Sequence, residues 1–209
     1  MKKLTLATLS TLALTLACTN VFALDGTITV NGAVTDQTCT LQASSSSGGF
    51  ATGLKDITFT LPTAPKSKFT PGSSPIGASV NLFFKNASGT GPCDAATTKA
   101  FKGIHLSAIS PDHLDTADKT LLVNQASGAS AANPIFMRFI TDGFDNVGGG
   151  MAGIRSVDFS APWGNQAKSS IGNHGGNIYV VYNVVVFSKT GIVDAQNYTA
   201  TVNYTLHYN

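Results

Sequence analysis

The residues that could carry catalysis are spread along this 209-residue chain in no recognised catalytic pattern. The chain has neither the H-E-x-x-H pattern of zinc proteases nor the Gly-x-Ser-x-Gly turn of serine hydrolases. Asp112, His113 and Asp115 could form a base with orienting acids, but they follow Pro111 in a polar stretch that predicts an exposed loop. The other histidines are isolated: His105, His174 and His207. We therefore expect no enzymatic activity, no catalytic residue and no cofactor.

A calcium site is the nearest alternative among metal sites. Asp142, Asp145 and Asn146 offer the oxygen ligands that calcium prefers, but their spacing differs from that of an EF-hand and their glycine-rich surroundings favour a turn. Clustered histidines or a C-x-x-C pair, which would favour zinc, do not occur in the sequence. We expect no metal ligands.

Two of the three cysteines are expected to form a structural disulfide. Cys18 lies in an N-terminal segment that we expect to be removed, which leaves Cys39 and Cys93 as the one intramolecular pair. The loop-entropy model assigns such a bridge about 4 kcal/mol of stabilisation.

The first 23 residues have the features of a secretion signal. Met1-Lys2-Lys3 is positively charged, an apolar stretch follows, and Val21-Phe22-Ala23 has the small-residue pattern of a cleavage site. Lipidation at Cys18 is disfavoured because Thr15 stands where a lipobox normally has leucine. We predict a signal peptide at residues 1–23, export, and a mature chain without a membrane anchor.

Charge and composition narrow the class of protein. The two lysines of the signal segment carry the whole formal charge of +2, so the remaining chain is neutral and gives no electrostatic case for nucleic acid or an anionic membrane. All acidic residues are aspartates, and Thr, Ser, Gly, Val and Ala are abundant, which favours strands joined by turns. A single all-β sandwich is predicted, with residues 44–49 as a loop. Its strands are expected at 57–61, 78–84, 103–109, 120–124, 135–141, 154–159, 177–187 and 198–208.

Both ends of the mature chain are alternating strands. Near the N-terminus the residues of one face are Ile28, Val30, Gly32 and Val34, and Gly32 leaves a gap that a closely approaching backbone could use. Such a strand could complete the sheet of another molecule or be an ordinary first strand of a sandwich. At the C-terminus every second residue is again apolar or aromatic: Tyr198, Ala200, Val202, Tyr204, Leu206 and Tyr208. This strand either frames a groove for a donated strand or closes the sandwich.

With its two ends the chain resembles a chaperone–usher fimbrial subunit, a pilin of the type 1 fimbrial family and of the major-pilin kind. The segments that carry the resemblance are the signal peptide, LDGTITVNGAVTDQTC at 24–39, SVNLFF at 79–84 ahead of Cys93, and ATVNYTLHYN at 200–209. The resemblance implies an incomplete immunoglobulin-like β-sandwich that is completed by donor-strand exchange. Residues 24–36 would be the donor strand and residues 37–209 the pilin domain.

The resemblance also implies roles for single residues. Ile28, Val30 and Val34 would enter the pockets of a neighbouring subunit, and Gly32 would be the small residue where strand exchange is checked. The acceptor groove and chaperone edge would comprise Tyr198, Val202, Tyr204, Leu206, Tyr208 and Asn209. The implied partners are neighbouring pilin subunits, a periplasmic chaperone that holds the Asn209 carboxylate, and an outer-membrane usher. One departure from the family is Gln196, which stands where members usually have glycine.

The expected function is that of a structural subunit of an extracellular fimbrium that supports cell adhesion. The alternative is a minor or tip subunit with carbohydrate-binding activity, whose partner would be a host glycan receptor. Trp163 is the residue that motivates this alternative, because an exposed indole beside Asn165 and Gln166 could stack on a sugar. A lone tryptophan can equally anchor a loop or the core.

Overall fold

The structure, a computed structural model, describes residues 39–47, 49–142 and 153–209. These residues belong to one compact unit, and their fold is all-β. The strands are β1 (Thr40–Ser47), β2 (Phe50–Thr52), β3 (Thr58–Thr60), β4 (Ile76–Lys85), β5 (Phe101–Ala108), β6 (Leu122–Val123), β7 (Phe136–Thr141), β8 (Ile171–His174), β9 (Asn177–Phe187) and β10 (Val202–Tyr208). A short helix, α1 (Ala95–Ala100), and single 3-10 turns at Lys66–Lys68 and Pro111–His113 complete the described elements.

The larger sheet is built around β9 and is antiparallel throughout. Its strand order is β1-β4-β9-β7-β6, and β8 pairs with the first part of β9. Burial alternates residue by residue along β4 and β9, as expected for a sheet with one face against the core. Val80, Leu82 and Phe84 of β4 and Val180 and Tyr182 of β9 point inward.

The smaller sheet consists of β5 and β10 and covers the same core from the other side. Ile104 and Leu106 of β5 are fully buried and belong to one hydrophobic cluster with Val80, Leu82 and Tyr182. The Tyr182 hydroxyl donates to the carbonyl oxygen of Ile104 at 3.4 Å, and burial raises the pKa of this side chain. The arrangement is a sandwich of two sheets around one core.

A disulfide fastens one end of this sandwich. Cys39 and Cys93 are bonded, 54 positions apart in the sequence and with Cα atoms 5.7 Å apart. Asp94 follows directly and accepts a hydrogen bond from the Thr97 amide at 2.9 Å, which caps α1. Nearby, the rings of Phe84 and Phe101 stack at 4.4 Å.

Two predictions about local structure are wrong. The serine-rich stretch expected to be a loop from residue 44 continues β1 as far as Ser47, because ladder pairing with β4 outweighs the turn preference of serine. The run expected as a strand at 154–159 forms only an isolated bridge between Ser156 and Ile140 of β7. Its buried residues, Val157 and Phe159, fill the core without extending the sheet.

No helix within the described residues is long and apolar enough to cross a membrane.

Candidate functional site: an open strand edge at the C-terminus

A side chain covers part of one edge of the two-stranded sheet, beside Leu106 of β5. Gln166 is buried and lies along the edge of β5 that faces away from β10. Its Oε1 accepts from the Leu106 amide at 2.9 Å, and its Nε2 donates to the Leu106 carbonyl at 2.7 Å. The amide group therefore makes the two bonds that a neighbouring strand would make.

These bonds also determine which backbone groups of β10 face outward. In an antiparallel pair, the N–H and C=O of one residue point to the same side and alternate along the strand. Leu106 points toward Gln166, so its opposite residue Tyr204 points its N–H and C=O away from β5. The same holds for Val202 and Leu206. Among the described residues, β10 has no ladder on this outer edge.

The inward side chains of this C-terminal segment are only partly covered. Ala200, Val202, Tyr204 and Leu206 pack against the core but remain half-buried, whereas the corresponding residues of β4 and β9 are fully buried. The opposite wall is likewise half-buried and apolar: Ile57, Phe59 and Leu61. We call the space between these two walls the C-terminal groove.

Two tyrosines cross the C-terminal groove. The Tyr198 hydroxyl donates to the Pro62 carbonyl at 2.7 Å, and the Tyr204 hydroxyl donates to the Lys55 carbonyl at 2.9 Å. Burial raises the pKa of both phenols, so both hydroxyls keep their donating proton at neutral pH. The two walls run antiparallel and are joined here through side chains, without a described ladder between them.

The groove has well-defined ends. At the start of the segment, Gln196 accepts from Asn124 at 3.0 Å and from the Ser130 amide at 3.1 Å, and it donates to the Asn133 carbonyl at 3.1 Å. The glutamine that departs from the family pattern is therefore bound to the loop that contains these three residues.

At the other end of the groove, the Tyr208 ring lies 6.2 Å from that of Phe84 and 6.1 Å from that of Phe101. Tyr208 is 41% exposed. The Asn209 amide donates to the Ala100 carbonyl at 3.1 Å, and the Asn209 side chain is exposed. The structure thus brings the predicted groove residues Tyr198, Val202, Tyr204, Leu206, Tyr208 and Asn209 onto one segment beside the free edge. The predicted donor residues Ile28, Val30, Gly32 and Val34 lie outside the described residues.

Trp163 packs against the outer face of the smaller sheet. Its indole stacks on the His207 ring at 4.1 Å, with an angle of 6° between the rings, and Lys168 Nζ lies 3.8 Å from the ring centre. Gly103 is the residue beneath it, where an added Cβ would come within 3.0 Å of the indole. The indole considered for sugar stacking is thus already in contact with three residues of this chain.

The residues considered for catalysis are engaged elsewhere. Asp115 accepts from Lys189 Nζ at 2.6 Å and from the backbone amides of Ala117 and Asp118. Asp112 accepts from the Ser110 hydroxyl. Of the calcium candidates, Asp142 accepts from the Ser170 hydroxyl, and Asp145 and Asn146 lie outside the described residues.

The sequence alone did not identify two features of this site. Gln166 was considered only as a neighbour of Trp163, and nothing in its local sequence indicates that it covers a strand edge. The Ile57, Phe59 and Leu61 wall was expected only as a strand.

Comparison with known proteins adds one similarity. No protein-family model matches the chain. The chain is 25% identical over 187 residues to the F17 fimbrial protein of Escherichia coli, and the match covers 89% of this chain and 88% of that protein. This similarity suggests a fimbrial subunit.

Proposed function

We propose that this protein is a structural subunit of a chaperone–usher fimbrium that polymerises by donor-strand exchange and supports cell adhesion. The observation that carries the proposal is the outer edge of β10. Among the described residues, the outward backbone groups of Val202, Tyr204 and Leu206 have no ladder partner, and the side chains beside them are apolar and only half-buried. An edge of this kind pairs readily with an added strand, which would also bury the apolar side chains.

The occupant must be an extended segment with an alternating apolar face. Residues 24–36 have this pattern, with Ile28, Val30 and Val34 on one side and a glycine between them. The similarity to a fimbrial protein over most of both chains supports a polymer of such subunits. The segment of one subunit would fill the C-terminal groove of the next.

The same edge explains the other proposed partners. A free edge of this kind is prone to aggregation, so the subunit needs a periplasmic chaperone that covers β10 until assembly. Signal-directed export would bring the chain to this chaperone, and an outer-membrane usher would exchange the chaperone for the next subunit. The fimbrium would then stand on the cell surface.

The alternative of a carbohydrate-binding minor or tip subunit concerns Trp163. Stacking on a sugar requires a free aromatic face. The contacts of the indole with His207 and Lys168 favour a packing role instead.

A synthetic peptide of residues 24–36 tests the proposal. We expect it to raise the melting temperature of the purified, exported chain by several degrees, because it adds a strand and buries apolar side chains. A scrambled peptide is the first control. The second is a matched pair of variants: Val202→Asp places a charge in the groove and should abolish the shift, whereas Asn203→Asp on the exposed face should keep it. A folded chain whose melting temperature does not respond to the peptide would contradict the proposal.

A further inference from the structure

Two tyrosines of the C-terminal groove and two glycines of the proposed donor strand have the same spacing in the sequence. Tyr198 and Tyr204 lie six positions apart on the inward row of the C-terminal segment. Gly26 and Gly32 lie six positions apart on the alternating row of residues 24–36. Ala200 and Val202 stand between the two tyrosines on the groove row. Ile28 and Val30 stand between the two glycines on the donor row.

This spacing has a steric consequence. A strand that pairs with the outer edge of β10 brings its inward residues next to the inward residues of β10. Tyr198 and Tyr204 cross the groove to reach the carbonyls of Pro62 and Lys55, so their rings occupy the space beside them. A glycine opposite such a ring avoids competing with it for this space. Ala200 and Val202 have smaller side chains than the tyrosines, which leaves more room for aliphatic side chains opposite them.

The fold already contains a pair of this kind. Gly172 of β8 lies directly opposite Tyr179 of β9. The tyrosine ring covers the glycine so closely that an added Cβ would come within 2.4 Å of Tyr179 Cζ. A tyrosine thus lies over a facing glycine on the neighbouring strand, an arrangement also used in designed sheets.

We infer that residues 24–36 of a second copy of this chain enter the C-terminal groove in one register, with Gly32 opposite Tyr198 and Gly26 opposite Tyr204. The inference rests on the proposed function and specifies how the partner is recognised. In this register Ile28 lies beside Val202 and Val30 beside Ala200. The tyrosines select the register, because a shift by two residues places a valine or isoleucine against a ring.

The residues on either side of the glycines favour one orientation of the donor strand relative to the C-terminal segment. In the antiparallel orientation, the same register places Leu24 beside Leu206 and Val34 beside Gln196. A parallel strand would pair Gly32 with Tyr204 and would place the charged Asp36 against the aromatic ring of Tyr208. Antiparallel pairing therefore buries apolar residues and leaves Asp36 beyond the groove.

The antiparallel register also favours a strand that comes from another molecule. Val34 would lie opposite Gln196, eight positions from Tyr204 and hence about 26 Å away along the segment. The Thr40 side chain of the same chain lies close to the Tyr204 hydroxyl. The six residues from Val34 to Thr40 reach at most about 21 Å. This shortfall favours a strand that comes from a second copy.

Paired substitutions in the full-length chain test the inference through fibre assembly on cells, measured as polymer that resists detergent. Gly32→Val should abolish polymer, and the further change Tyr198→Leu should restore most of it. Tyr204→Leu should not restore it. Gly26→Val should show the reverse pattern, with rescue by Tyr204→Leu only. Equal polymer from wild type and Gly32→Val, or rescue by the wrong tyrosine, would overturn the register.

Peptide binding covers the case in which a tyrosine variant fails to fold, because here the groove stays unchanged. A peptide of residues 24–36 with Gly32→Val should bind the wild-type groove at least about tenfold more weakly than the wild-type peptide. The matched control Asn31→Val, on the outward face, should bind within about twofold of wild type. Equal affinity of the two variant peptides would overturn the inference. Failure of the wild-type peptide itself to bind would instead contradict the proposed function.

Discussion

At the scale of single residues, Gln166 shows how a side chain substitutes for a strand. Its buried amide pairs with both backbone groups of Leu106, and Nε2 also donates to the Asp158 carbonyl at 2.7 Å. At Leu106, this edge of β5 is thereby satisfied without a further strand.

Gln166→Ala should destabilise the fold by about 3 kcal/mol, because it leaves a buried N–H and C=O without partners. Chemical denaturation of the purified chain measures the loss. Gln42→Ala, at a half-buried glutamine of β1, should cost less than about 1 kcal/mol. A Gln166→Ala variant as stable as wild type would show that the amide is dispensable for this edge.

The disulfide acts at the same scale. Cys39→Ser and Cys93→Ser together remove a cross-link between residues 54 positions apart. The expected loss is about 4 kcal/mol of unfolding free energy, from the added freedom of the unfolded chain. Denaturation of the double variant, compared with wild type under oxidising conditions, measures it. A loss below about 1 kcal/mol would argue against a stabilising bridge.

At the scale of elements, β10 has two different faces. Its inward face lines the C-terminal groove, and its outward face carries His207 under the Trp163 ring. Burial, together with the positive charge of Lys168 and the neighbouring His105, lowers the pKa of His207. The last strand is therefore held from outside by a stack in which the neutral form of His207 is favoured.

The stack should respond to acid. A lowered folded-state pKa means that the unfolded chain binds the proton first, so the contribution of His207 to stability is complete above about pH 6.5 and falls as the pH drops below it. Trp163 is the single tryptophan, so its fluorescence reports the change directly. We expect an emission transition with a midpoint below pH 6.5. His207→Phe should abolish it, and Lys168→Met should raise the midpoint. A transition that persists in His207→Phe would assign it to another group.

At the scale of the whole molecule, the proposed donor segment and the groove lie in different parts of one chain. Residues 24–36 precede the disulfide, while the groove lies between the C-terminal segment and the wall of Ile57, Phe59 and Leu61. A head-to-tail contact generates a filament whenever its rotation does not close into a ring. In the proposed filament, each subunit contributes one donor strand and one groove.

A subunit without the proposed donor strand should therefore stand only at one end of a fibre. Deletion of residues 24–35 leaves the groove intact, so the shortened subunit still receives a strand but donates none, and each fibre can hold at most one such subunit. When it is co-expressed as one tenth of all subunits, the mean fibre length should fall to roughly ten subunits. Electron microscopy of labelled fibres measures this length. Fibres of unchanged length, with the shortened subunit present in the periplasm, would contradict donation by this segment.

The order of residues alone indicates the central strand, the last strand and the pair of cysteines. Alternation along 177–187 and 198–208 predicted the central strand and the last strand, because a period of two needs no information beyond the sequence. With Cys18 in the predicted signal peptide, Cys39 and Cys93 are the one pair that remains. The inward row of the last segment, with tyrosines at 198 and 204, could be read off directly.

Only the tertiary structure decided which edge stays open. Serine has a turn preference, yet β1 runs to Ser47 because β4 offers it a ladder, and residues 154–159 pack in the core without joining the sheet. The Gln166 side chain meets Leu106 from 60 positions away, and Tyr198 meets Pro62 from 136 positions away. Local sequence cannot specify such contacts, since they depend on the packing of distant segments around a shared core.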